Sequence, residues 1–337
     1  MTTVGVVVNP HAAGDVRRLT SLAPNLQLTQ RVNTTARVLA GLAAAGVRDV
    51  VAMAEPFDIV GRALELLPRD GHGAALRVVP TAAAVDAAGT RRAAAAMRDA
   101  GVACVITVGG DGTVRAVVAG WPGAVVVPVA GGTNNTVALP VVPEAAGLAA
   151  GRYARDPGGL RRFVERRTVL DADDWDGTTR IAVADVAMTR HGWTGTHAVW
   201  DPAMLVEAVL ARSDATLTGL AGLGGLIARL ADGEALHLRF GTPGRRLLAP
   251  LGPGRFVPVE VRDWQVVAAG DATLLTATEA TCTVAFDGER ELVVAPEQSV
   301  RVAPRAGGLR VLSATRLLRD IARDVGPIPL SGRLEQA

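Results

Sequence analysis

Residues 102–119 read VACVITVGGDGTVRAVVA, and this stretch decides the fold. Val102–Val108 is a continuous apolar run suited to a strand, Gly109-Gly110-Asp111-Gly112-Thr113 is a turn, and Val114–Ala119 is helical in character. A strand feeding a glycine turn and then a helix N-terminus is the geometry in which backbone meets phosphate. Glycine removes the Cβ, and the helix offers free N–H groups at the positive end of its dipole. Asp111 sharpens the reading. A bare carboxylate repels phosphate, so it either holds Mg²⁺ against the phosphates or accepts a proton from an attacking hydroxyl; both are kinase chemistry. The plainer alternative is an Asp-Gly turn with Asp111 as a helix N-cap.

On either side of this stretch, Val4–Val8, Val50–Met53, Leu76–Val79 and Ala124–Val129 are further strand candidates. Asn33–Ala45, with Asn33 and Thr34 as caps, Phe57–Leu67 and Thr90–Ala100 carry helical spacing between them. Strands apolar on every residue and separated by helices imply a parallel sheet covered on both faces. Residues 1–160 therefore read as a three-layer α/β domain. Beyond them the texture changes to β-rich runs: Ile181–Met188, Leu236–Phe240, Val257–Val261, Gln265–Ala268, Thr281–Phe286, Glu291–Val294 and Val300–Val302. Gly241–Gly254 reads as turns, and two helical stretches interrupt, Ala203–Ala211 and Leu217–Leu230. Residues 161–310 thus form a mostly antiparallel β domain. Residues 311–337 form a C-terminal segment, helical over Ala314–Asp324, that packs back on the first domain.

Three further features bear on a site. Gly131-Gly132-Thr133-Asn134-Asn135 follows the strand candidate Ala124–Val129, and Asn9 ends the first strand candidate. In a parallel sheet these emerge with Gly109–Thr113 at the carboxyl edge, where open α/β sheets bind ligands. Thr133, Asn134 and Asn135 offer neutral groups for ribose or phosphate; the alternative is a cap and turn. Asp287-Gly288-Glu289 reads as a hairpin turn, or as one or two carboxylates that bind Mg²⁺ or activate an acceptor hydroxyl. Asp185 lies inside an apolar run, where a carboxylate is costly unless paired or facing a ligand.

Composition narrows the chemistry. All 35 basic side chains are Arg, and no Lys occurs. That excludes a Walker-A phosphate loop, a Schiff-base enzyme and any Lys nucleophile. Phosphate charge must be met by backbone N–H groups, Arg or a metal. The net charge of +2 points away from nucleic acid and anionic membranes. The cluster Arg161, Arg162, Arg166 and Arg167 reads as a solvated helix face. Cys104 and Cys282 read as buried thiols, and with no signal peptide or membrane span in the reading, the expected compartment is the cytoplasm. The dinucleotide fingerprint fails because Arg115 stands at its third glycine. The nucleophile elbow is absent. His191 and His197 lack a carboxylate partner at ligand spacing, and no metal site is firm; Asp111 and Asp287 are the candidates for Mg²⁺.

The Gly109–Thr113 loop resembles the signature of the superfamily that joins NAD kinases to diacylglycerol and sphingosine kinases. Val8-Asn9-Pro10, Gly132-Thr133-Asn134 and Asp287-Gly288-Glu289 fall in that superfamily's order. Over nearly the whole chain the sequence is similar to the acetoin-catabolism protein X group, through Asp15-Val16-Arg17-Arg18, Arg31-Val32-Asn33, Leu39-Ala40-Gly41-Leu42, Arg115-Ala116-Val117 and Asp287–Leu292. The resemblance implies an NAD kinase-like fold with the site between two domains, ATP as donor, Mg²⁺, and a homodimer or higher homo-oligomer. It implies that Asp111 is catalytic and engages the acceptor ribose hydroxyl. It further implies that Asp287 and Glu289 stand at the metal and base positions of the lipid kinases. Two positions depart from the pattern: Ala184 precedes Asp185 where NAD kinases carry Asn, and Asn135 stands where the lipid kinases carry an acid.

The expected function is ATP- and Mg²⁺-dependent phosphoryl transfer to a hydroxyl, with NAD as the first acceptor and a link to acetoin catabolism. Asp111 is its catalytic residue. Asn9, Gly109, Gly110, Gly112, Thr113, Thr133, Asn134, Asn135 and Asp185 bind the nucleotides. Two alternatives stand beside it: a lipid or small-alcohol kinase, and an NAD- or ATP-binding accessory protein without turnover.

Overall fold

The computed structural model describes residues 2–11, 27–68, 76–81, 83, 86–132, 135–138, 140–190 and 202–324. Strands β1 (Thr3–Val8), β2 (Asp49–Ala52), β3 (Arg77–Pro80), β4 (Val105–Gly109) and β5 (Val125–Ala130) are short and rich in Val. They run parallel in the order β3-β2-β1-β4-β5. Helices cover both faces, which is why these strands are apolar on every residue. α1 (Leu28–Ala44), α2 (Ile59–Glu65) and α5 (Pro143–Arg155) share one core with the sheet, including Leu39, Ile59 and Tyr153. α3 (Ala87–Asp99) and α4 (Asp111–Gly120) share the other, including Met97 and Val117.

The same sheet continues into later sequence. β15 (Ser299–Leu312) pairs parallel with β5 and antiparallel with β6 (Val164–Asp173), which pairs with β7 (Thr179–Ala182). β12 (Thr273–Thr276) also pairs with β15. A second, antiparallel sheet has the order β11 (Arg255–Val267), β10 (Ala235–Gly252), β9 (Leu205–Leu210), β8 (Asp185–Arg190), β13 (Cys282–Phe286), β14 (Glu289–Val294). A core that includes Leu170, Met188, Val284, Phe286 and Val300 seals one sheet against the other. α6 (Leu220–Gly225) packs on the second sheet. α7 (Ala314–Asp324) returns to the first layer, where Leu317 is buried in the core of α1 and α5. No described helix is long and apolar enough to cross a membrane.

Several expected elements are corrected. Ala203–Ala211 is not a helix: after a 3₁₀ turn at Pro202–Met204 it is strand β9, because pairing on both sides by β8 and β10 outweighs the helix propensity of its Ala, Leu and Glu. Leu217–Leu230 shortens to the six residues of α6, since Gly222, Gly224 and Gly225 weaken helix propagation. Gly241–Gly254 is mostly strand, with register shifts in the β10–β11 ladder absorbing Gly241 to Gly244. The run Ile181–Met188 breaks at Val183-Ala184, and its halves join different sheets. Arg161 and Arg162 lie on a 3₁₀ turn and Arg166 and Arg167 on β6, so no helix face unites them. α1 begins before Asn33, with Gln27 and Gln30 forming a capping box.

Two glycines allow α1 and α5 to touch backbone to backbone. A Cβ on Gly41 would strike the Glu144 carbonyl, and one on Gly147 the Val38 carbonyl. Gly147→Ala is therefore expected to cost about 1–3 kcal/mol, because the obstacle is backbone and cannot turn away. A urea midpoint equal to that of the unchanged protein would contradict it.

Candidate functional site

The site is built at the carboxyl edge of the parallel strands. β4 and β5 are neighbours in register from Val105 opposite Val126 to Gly109 opposite Ala130, so their glycine loops leave the sheet together. The Gly131 N–H donates to the Gly109 carbonyl at 3.0 Å. A Cβ on Gly132 would lie 2.6 Å from the Gly110 Cα, so the two loops can meet only without a side chain there. Asn9, at the end of β1, donates from Nδ2 to the Thr113 hydroxyl at 3.1 Å and accepts from the His11 N–H at 2.9 Å. Thr133 and Asn134 lie outside the described residues, as do Asp15–Arg18, His191 and His197. Asn135 turns inward, accepting from the Gly132 N–H at 2.9 Å and donating to the Gly132 carbonyl at 2.8 Å. It acts as the brace of its own loop.

Asp111 is not the N-cap of α4. Gly110 holds that position, and Asp111 opens the first turn. Its buried carboxylate accepts from the Thr136 N–H and the Val137 N–H, both at 2.9 Å. The side chain therefore ties the first glycine loop to the chain that follows the second. Burial pushes its pKa up; the Val137 and Thr136 N–H groups and the positive charge of Arg212 pull against that rise. Each oxygen retains acceptor capacity beyond these bonds. Arg212, half-buried after β9, and Arg167, which donates to the Val137 carbonyl at 2.9 Å, place positive charge on the same side of the cleft.

Asp287 occupies the β13–β14 hairpin turn. It and Gly288 both have positive φ, at 51° and 84°, as a tight Asp-Gly turn demands. Its carboxylate accepts from the backbone N–H groups of Val183 (3.0 Å), Ala184 (2.8 Å) and Asp185 (3.3 Å), which clamps the crossing between the two sheets. Burial pushes its pKa up to about 6, against the pull of Arg115, whose Nε lies 3.4 Å away. Asp185 is the first residue of β8, beside that clamp. Glu289 is separate from it: it reaches a cavity of about 190 Å³ lined also by Asn9, His11, Asp86, Gly112 and Thr113. Asn9, Gly112, Thr113 and Glu289 thus share one cavity, while Asn135 spends its polar atoms on backbone and Asp287 on backbone and Arg115.

In the sequence Arg115 was readable as a break in the dinucleotide fingerprint and as part of the family resemblance, but not as a site residue. It stands one helical turn after Asp111, hence on the same face of α4. It bonds Glu291 and lies 3.7 Å from Glu289, so it joins α4 to the second sheet. Burial alone lowers its pKa, but Asp287, Glu291 and Glu289 together hold it above the ordinary value. The spacing from Asp111 was the available signal; its three carboxylate partners are more than 170 positions away. Among the described residues, no group of three or more His, Cys, Asp or Glu side chains is placed to hold a metal ion. Asp111 and Asp287, the expected Mg²⁺ candidates, belong to no such group.

Comparisons agree with this architecture. Residues 4–147 match the ATP-NAD kinase N-terminal domain, and residues 168–307 the acetoin catabolism protein X C-terminal domain. Among solved structures, yeast NADH kinase complexed with NADH has the same fold: a TM-score of 0.55 at 12% identity, covering 98% of this chain and 89% of that one. A diacylglycerol kinase from Bacillus anthracis aligns at a TM-score of 0.45 and 15% identity, over 92% of this chain and 96% of that one. Acetoin catabolism protein X of Cupriavidus necator is 35% identical over 338 residues, 95% of this chain and 92% of its own length. That alignment covers nearly the whole chain, and on it the chain belongs to the acetoin catabolism protein X family, a kinase-like family with the NAD kinase-like fold.

Proposed function

We propose that the protein catalyses ATP-dependent phosphoryl transfer to a hydroxyl, with the ribose hydroxyl of NAD as the first acceptor to test. The carrying observation is the position of Asp111: a buried carboxylate on the first turn of a helix, beside two touching glycine loops at a sheet's carboxyl edge. The loop N–H groups and the positive end of α4 receive phosphate oxygens. Arg167 and Arg212 supply the charge that a P-loop Lys supplies elsewhere. Asp111 orients the acceptor hydroxyl and takes its proton. Mg²⁺ enters with ATP as part of the substrate, and no step above is assigned to it. The test is purified protein with MgATP and NAD, reading NADP with an NADP-specific dehydrogenase. Absence of product from every hydroxyl acceptor tried, lipid extracts included, would overturn the reading.

The engagement of Asp111 by two backbone N–H groups supports a second reading, nucleotide binding without turnover. It predicts saturable binding of NAD or ATP by calorimetry with no product.

A pH profile separates the roles. A base works deprotonated, and burial raises the Asp111 pKa above the ordinary carboxylate value. Activity is therefore expected to fall as pH drops through a value above 3.8, the ordinary one. Arg212→Gln removes a charge that opposes the rise, so its acid limb is expected at still higher pH. An acid limb unmoved in that variant would remove Arg212 from the site.

A further inference from the structure

A second cavity, larger than the one that Asn9 and Glu289 line, lies away from Asp111 among the described residues. About 330 Å³ in volume, it opens at the amino edge of β5, roughly 17 Å along that six-residue strand from the glycine loops. It is lined by Val125, Val164, Pro157, Tyr153 from the end of α5, and three arginines: Arg161, Arg166 and Arg310.

All three arginines are exposed. Arg37, Arg115, Arg162, Arg167, Arg180, Arg239, Arg301 and Arg305 each bind a carboxylate. Among the described residues, Arg161, Arg166 and Arg310 have no such partner, and no acid lines the cavity. Of the carboxylates near in sequence, Glu165 is engaged by Arg167 and Arg316, and Asp156 accepts from the Gly159 N–H at 2.9 Å. Arg166 and Arg310 are also direct cross-strand partners in the β6–β15 ladder. Like charges opposite one another on adjacent strands repel. Arg310 finds only the Gly123 carbonyl, at 3.4 Å. The side chain of Arg166 lies over Gly307, where a Cβ would displace it.

Three exposed arginines line one cavity, two of them cross-strand neighbours, so an anion seated there would meet positive charge from more than one side chain. We propose that this cavity is a second ligand site, for a compact polyanion carrying at least two negative charges on phosphate or carboxylate oxygens. Guanidinium forks match both groups bidentately, and the Tyr153 hydroxyl adds one donor. The volume lies at the small end of the range of about 300–1,000 Å³ for ligand pockets, which suits a phosphate monoester, pyrophosphate or a tricarboxylate. The site shares no residue with the nucleotide cleft and does not depend on the function proposed for it.

The test is calorimetric titration of the full chain at low ionic strength, with inorganic pyrophosphate in one arm and citrate in the other. R166Q/R310Q is expected to weaken binding of at least one probe by about tenfold or more, the scale of losing two charge-assisted pairs. R91Q/R92Q removes the same charge from the exposed face of α3 and is expected to change nothing. Without anion, R166Q/R310Q is expected to melt no lower than the unchanged protein, because like charges on adjacent strands have been removed; each anion that binds is expected to raise the melting temperature of the unchanged protein more than that of the variant at the same concentration. R161Q, outside the sheet, provides a second variant whose folding does not depend on the ladder, and weaker binding is expected there too. Equal losses in R91Q/R92Q, or undiminished binding in both R166Q/R310Q and R161Q, would overturn the proposal. Retained NAD or ATP binding in R166Q/R310Q separates this outcome from any failure at Asp111.

Discussion

Asp111→Asn is expected to lower turnover by about 10²-fold or more, the usual contribution of a positioned general base. The substitution keeps size and shape but cannot take a proton from an acceptor hydroxyl. Its second effect is structural. The carboxylate presents one oxygen to the Thr136 N–H and one to the Val137 N–H. An amide offers one oxygen and one NH₂, so one backbone donor then faces another donor. Losing that bond in a buried place is expected to cost about 1–3 kcal/mol. Asp111→Ala strands both N–H groups and should cost more. The two effects separate by measurement: turnover with MgATP and NAD for the chemistry, urea unfolding for the brace. If turnover stays within twofold in a variant that is folded, Asp111 is not the base, and its work is to hold the second loop.

Asp287→Ala is expected to destabilise the protein by about 3–5 kcal/mol, the cost of removing one partner of a buried ion pair. The side chain of Asp287 is wholly buried and that of Arg115 nearly so. Truncation leaves the Val183, Ala184 and Asp185 N–H groups without their acceptor and Arg115 with two of its three carboxylates. Because the clamp sits where the chain crosses from one sheet to the other, loosening it moves Asp185 and the hairpin bearing Glu289 together. Nucleotide binding is expected to weaken along with stability. A fall of the urea midpoint corresponding to less than 1 kcal/mol would show that Glu289 and Glu291 suffice for Arg115, and that the three N–H groups find water. Glu289→Gln is the contrast: its side chain is more than half exposed, and little change in stability is expected.

The parallel strands were legible because burial on both faces leaves no polar position to blur them. Val4–Val8 and Ala124–Val129 each fall within one residue of the observed β1 and β5. The glycine loops were legible for a related reason, since the close approach of Gly132 to Gly110 excludes every other side chain. Ala203–Ala211 was misread because its residues suit a helix as well as a strand, and pairing partners from β8 and β10 decided between them. Helix α5 was not anticipated; its small residues serve contact with α1 through Gly147, and contact is not periodicity.

By itself, then, the sequence determined the strand-loop-helix unit around Asp111, the parallel order of layers around it, and the absence of any Lys from whatever chemistry follows. These are local matters, set by residue volume, missing Cβ atoms and the hydrogen bonds that one turn of chain can make. What Asp111, Asp287 and the arginines do was decided by tertiary structure. A carboxylate's character depends on which donors surround it, and those donors come from Thr136 and Val137 for one and from Val183 to Asp185 for the other. The same holds for charge: Arg115 is matched by acids more than 170 positions away, whereas Arg166 and Arg310 are set against each other by strand register. Electrostatic energy follows distance in space, which the order of residues along a chain does not encode until the chain has folded.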